Sequence, residues 1–110
     1  LSHDKEKTLE KARTIEDKLL NFGIDGKIIE VKPGPVITLY EYKPAPGTKI
    51  HQISSLSNDL AMALKATRVR IIAPIPGKDV VGIEVPNEIR ETVYLKELIS
   101  KNEFQSFYYR

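Results

Sequence analysis

The apolar positions of this chain alternate between a spacing of three to four residues and a spacing of two. Over residues 2–22 they fall at Leu9, Ala12, Ile15, Leu19 and Phe22, with Glu6, Lys7, Glu10, Lys11, Arg13, Glu16, Asp17 and Lys18 between them. That spacing marks one face of a helix. Gly23 suits the left-handed backbone that closes a helix, and Ser2 is placed to cap its start. Over residues 27–32 the spacing falls to two, with Ile29 and Val31 on one side and Ile28, Glu30 and Lys32 on the other. This predicts a strand, and a second follows over residues 36–42, rich in the β-branched and aromatic residues that suit a pleated surface. Pro33-Gly34-Pro35 lies before that second strand and Pro44-Ala45-Pro46-Gly47 after it. Proline fits neither a helix interior nor a central strand, so these knots fix both ends, and the two strands form an antiparallel hairpin joined by a loop.

The longer spacing returns at Ile50, Ile53, Leu56, Leu60 and Leu64 and predicts a second helix, firmest over residues 56–66, with Thr48, Ser54 and Ser55 as possible caps. Residues 68–73 and 80–85 alternate again around Pro74-Ile75-Pro76-Gly77, giving a second hairpin. Val93, Leu95, Leu98 and Ile99 predict a short final helix, and the tail from Glu103 is aromatic without period. The order is helix, hairpin, helix, hairpin, helix. It predicts an α+β fold: a small, mostly antiparallel sheet with helices packed on one face.

Composition narrows the classes without choosing among them. At 110 residues, 41% apolar and 29% charged, the chain has the make-up of one globular domain with a single core. It has no cysteine, which excludes disulfides and thiolate metal sites. No stretch approaches the roughly 18 consecutive apolar residues needed to cross a membrane. A net charge of +2 does not by itself imply nucleic-acid binding.

The candidate chemistry is sparse. Gly77-Lys78 follows a strand, but Ile72 and Asp79 stand where a phosphate loop requires glycine and a hydroxyl. Gly23-Ile24-Asp25-Gly26 has the spacing of an RNA-clamping loop, yet it joins a helix to a strand and reads as a cap and turn. His3 and His51 are the only histidines, and neither sits near a carboxylate pair. No catalytic constellation is present. One charge pattern stands out: between Asp59 and Asp79 there is no acidic residue, while Lys65, Arg68, Arg70 and Lys78 all occur. Arg68 and Arg70, two apart on a strand, share a face. These four are the candidate DNA-binding residues, against the alternative of an ordinary solvated surface.

Taken together, several segments resemble the FtsK/SpoIIIE family of DNA translocases. They are Pro33-Gly34-Pro35-Val36-Ile37-Thr38, Ala45-Pro46-Gly47, Ile53-Ser54-Ser55-Leu56-Ser57-Asn58-Asp59-Leu60-Ala61, Val69-Arg70-Ile71, Ile75-Pro76-Gly77-Lys78, Val81-Gly82-Ile83-Glu84-Val85-Pro86-Asn87 and Arg90-Glu91-Thr92-Val93-Tyr94-Leu95. The resemblance implies the alpha domain of the motor over residues 1–102, with 103–110 a truncated linker toward a RecA-like ATPase domain. It further implies a hexameric ring of copies that moves double-stranded DNA in chromosome segregation and cell division. ATP and Mg would bind in the adjoining domain, so this stretch needs no cofactor and is not itself an enzyme. It would lie in the cytoplasmic portion of a protein anchored in the bacterial inner membrane, without touching the membrane. At Leu39 the family often carries a basic residue, so the resemblance assigns no DNA contact to that strand.

Overall fold

The computed structural model describes residues 2–88, with side chains from residue 5 onward. The expected Ser2 cap, the final helix over 93–99 and the linker over 103–110 lie outside what is described. The elements are α1 (Ser2–Asn21), β1 (Gly26–Pro33), β2 (Ile37–Pro44), α2 (Ile50–Ser54), α3 (Ser57–Leu64), β3 (Arg70–Ile72) and β4 (Val81–Pro86). The four strands form one antiparallel sheet in the order β1-β2-β4-β3. The domain is therefore α+β, as its alternating periods require.

One face of the sheet carries the core. Tyr40 and Tyr42 of β2 and Val81, Ile83 and Val85 of β4 cluster there with Ala12, Ile15 and Leu19 of α1, Ile53 of α2, and Leu60, Ala61 and Leu64 of α3. The buried stripe of α1 is narrower than its sequence suggests. Leu9 and Phe22 are exposed. Phe22 instead lies under the Lys18 ammonium, 5.6 Å from the ring centre. The helix closes as predicted: Gly23 takes φ +83°, the Gly23 N–H donates to Leu20 O, and the Ile24 N–H reaches back to Leu19 O at 2.9 Å. This places Ile24 against Leu19 in the core, as such a terminus favours.

Two expectations change. The register of β1 against β2 slips between Ile28 and Glu30, so a bulge interrupts the alternation. Ile28 and Val31 pack on the core, whereas Ile29 is 54% exposed. The Ile28 N–H beside the bulge donates to Glu16 Oε2 of α1 at 2.6 Å. The second helix is two helices. Ser54 and Ser55 turn their hydroxyls back onto the carbonyls of His51 and Gln52, a bond that competes with helix continuation, and the chain breaks before Ser57.

Among the described residues, no helix covers the far face of the sheet. The turn between β3 and β4 folds over part of it, closed by Ile75 N–H to Val80 O and Lys78 N–H to Ile75 O, both 2.9 Å. A methyl group on Gly82 would meet Ile75 Cδ1 at 3.1 Å and Leu39 Cδ1 at 3.2 Å, so the bare strand position is what admits Ile75. At the exit of β4, Asn87 stitches the first hairpin in place. Its Nδ2 donates to Gly34 O at 2.7 Å, its Oδ1 accepts from Thr38 Oγ1 at 2.6 Å, and its N–H donates to Val36 O at 2.8 Å.

Candidate nucleic-acid interface

The four nominated cations stand in different settings. Lys65 follows α3 with φ +54°, the left-handed position where glycine is commoner, and its backbone closes the helix onto Met62 O while Ala66 N–H reaches Ala61 O. Its place is set by the helix end as well as by its charge. Lys78 rides on the turn over the far face, with its ammonium 3.2 and 3.1 Å from the two oxygens of Glu41. Arg70 faces Glu84 across the β3–β4 ladder, with Nη1 3.7 Å from Oε1. Arg68 makes no ion pair with any described residue.

Glu41 is the residue that composition could not reveal. It is 2% exposed in the middle of β2, on the face away from the helices. A second lysine, Lys32 of β1, also reaches its Oε2, at 3.1 Å. A carboxylate is tolerated there because two half-exposed lysines neutralise it. The hydrogen bonds from Lys32 and Lys78 hold the Glu41 carboxyl below the usual carboxylate range, outweighing the opposing effect of burial, and the same contact raises the Lys32 ammonium above its ordinary value. Nearby, Lys43 holds Asp79 at 2.8 Å and lowers its pKa. On this face Lys32, Lys43 and Lys78 meet Glu30, Glu41 and Asp79, so little positive charge is left over. The arrangement fastens the β3–β4 turn to β1 and β2.

Only Arg68 and Arg70 meet in one place. They flank the buried Val69 and line an open groove of about 940 Å³ where β3 approaches the junction of α2 and α3. Ser54, Ser57 and Thr67 add hydroxyls to its wall, Val36, Ile37 and Pro86 make its apolar side, and Glu84 completes it. Guanidinium groups bind phosphate through paired N–H donors, and hydroxyls add donors without sequence preference, so the groove has the chemistry of a backbone contact. Glu84 was missed in the sequence, although its signal was present: pairing the second hairpin places it opposite Arg70. Among the described residues no group of three or more His, Asp or Glu side chains converges to hold a metal. No described helix is long and apolar enough to cross a membrane.

Comparison with known proteins joins these features to a family. The FtsK alpha domain profile matches residues 1–87. The chain is 54% identical over 99 residues to a DNA translocase FtsK of Caldanaerobacter subterraneus subsp. tengcongensis, covering 90% of the chain and 14% of that protein. It is 48% identical over 103 residues to the DNA translocase FtsK of Vibrio vulnificus, covering 94% of the chain and 10% of that protein. Against the protein of the same name from Agrobacterium fabrum the identity is 46% over 102 residues, 92% of the chain and 11% of that protein. The chain thus spans roughly a tenth to a seventh of the length of these relatives. With a profile covering nearly all of the described fold, the chain belongs to the FtsK alpha domain family.

Proposed function

We propose that this chain is the non-catalytic alpha domain of an ATP-dependent translocase of double-stranded DNA that acts in chromosome segregation and cell division. In this reading its copies form a hexameric ring stacked on a ring of adjoining RecA-like ATPase domains, line the DNA path and pass on nucleotide-driven motion. ATP and Mg belong to that adjoining domain, and a membrane anchor belongs elsewhere in the longer protein. The carrying observation is the identity of 46–54% to DNA translocases along about nine-tenths of the chain. Two features of the fold support a mechanical role. The proline-rich knots at both ends of β2 stiffen the joints of the first hairpin, and Asn87 ties that hairpin to the point where the chain leaves β4. Exposed Leu9, Leu20, Val36 and Met62 offer apolar surface to neighbouring copies or domains.

The purified chain is expected to show no Mg-dependent ATP turnover, and measurable turnover overturns the reading. In the longer protein, deletion of residues 1–88 is expected to leave ATP hydrolysis measurable while abolishing sustained movement along duplex DNA. Movement at the undiminished rate would refute a mechanical role. The pairing of Arg70 and Lys78 with carboxylates favours a second reading, a module for subunit interaction alone. It predicts that loss of these cations leaves DNA affinity unchanged while sedimentation shows failed ring assembly.

A further inference from the structure

We propose that the groove lined by Arg68 and Arg70 binds backbone phosphodiesters of duplex DNA, and that Glu84 sets its affinity by holding Arg70. The inference rests on the DNA-translocase reading above and assigns the contact to one place on the domain.

Three observations carry it. Within the groove two guanidiniums face a single carboxylate, leaving one positive charge in excess. Arg68 supplies that excess, since it has no anionic partner among the described residues. Arg70, by contrast, sits opposite Glu84 at 3.7 Å, too long for a well-formed hydrogen bond and with the arginine side chain 74% exposed. Such a pair is weak and gives way to a better acceptor. A phosphodiester oxygen is that acceptor, because the planar guanidinium can meet it with two parallel N–H groups. The hydroxyls of Ser57 and Thr67, neither bonded to a described residue, are free to donate; Ser54 already donates to His51 O at 3.2 Å. The apolar side formed by Val36, Ile37 and Pro86 offers nothing that reads a base edge, so the contact is independent of sequence. Glu84 is therefore a positioning residue. By competing for Arg70 it limits how tightly the domain grips DNA, a property suited to a surface past which DNA must slide.

The test is a salt titration of the 110-residue chain binding a fluorescent random-sequence duplex, followed by anisotropy. Each phosphate contact contributes about 0.9 to the slope of log affinity against log salt. Arg68→Gln is expected to flatten the slope by about that amount. Glu84→Gln is expected to tighten binding by about two- to five-fold at low salt, the scale of an exposed ion pair. In the Arg70→Gln background that gain is expected to vanish, because the carboxylate then has nothing to restrain. Asp79→Asn removes a carboxylate paired outside the groove and is expected to give no comparable gain. An equal gain from Asp79→Asn, or one that persists without Arg70, means that net charge alone is responsible and overturns the proposal. An unchanged slope in Arg68→Gln overturns it too. If neither the wild type nor Glu84→Gln binds at the lowest salt, the groove is no phosphodiester site; the translocase reading is judged separately, by the deletion in the longer protein. Circular dichroism of each variant verifies that the fold is kept.

Discussion

Tyr42 buries its hydroxyl beside Gly26, where it finds no hydrogen-bond partner among the described residues. Burial, with the negative charges of Asp25 and Glu16, pushes its pKa up to about 12. A buried unsatisfied hydroxyl costs about 1–3 kcal/mol, so Tyr42→Phe is expected to be neutral or to stabilise by about 1 kcal/mol in urea denaturation. The raised pKa also fixes the alkaline behaviour. The unfolded phenol ionises first, so this stability is complete below about pH 10 and lost as pH rises toward 12. Tyr42→Phe should lessen that alkaline loss, with buried Tyr40, also pushed up to about 12, accounting for part of the remainder. Glu41 acts in the opposite sense. Its folded-state pKa is lowered, so its stabilisation is present above the ordinary carboxylate value and is lost as pH falls through the lowered one. Thermal melts should accordingly fall on acidification below about pH 5. Glu41→Gln should show a shallower fall and a lower melting temperature at neutral pH, where Lys32 and Lys78 would then lose the carboxylate they share.

At the scale of elements, the joints matter more than the strands. Asn87 lies outside β4, yet it satisfies Gly34 O and orients the buried Thr38 hydroxyl. Asn87→Ala is expected to cost roughly 1–3 kcal/mol, the range for leaving buried polar groups unpaired. Hydrogen exchange should quicken at the start of β2, while protection in α1 is kept. The bulge in β1 shows why alternation is a fallible guide. One extra residue reverses the facing of everything on one side of it, so Ile29 and Ile28 exchange the roles that strict alternation gives them. The broken second helix has a similar local cause. Nothing in the spacing of Ile50, Ile53, Leu56 and Leu60 shows that two adjacent serines bond backward and end the first segment.

At the scale of the whole fold, one core joins the three described helices to the sheet, and Ile15 is fully buried in it. Ile15→Ala is expected to lower global stability by about 2–5 kcal/mol, with helical and sheet signals melting together. Separate transitions would show that α1 is not part of one cooperative unit. At this scale charge also takes on meaning. The acid-free run between Asp59 and Asp79 suggests a basic surface, but folding brings Glu41 to Lys78 and Glu84 to Arg70 from strands distant in sequence. Of the four nominated cations, Arg68 alone lines the groove without an ion pair to a described residue.

By itself, the sequence determined the breakers and the family resemblance, together with the α+β alternation of periods: that Gly23 ends α1, and that proline knots bound β2. These are local matters, because spacing and backbone chemistry act over a few residues. Only the tertiary structure decided that β2 pairs with β4, that Glu41 is buried between two lysines, that Asn87 locks the first hairpin, and that Glu84 lies against Arg70. Each of these joins residues far apart along the chain, and the balance of charge or hydrogen bonding at each depends on a partner that spacing cannot name.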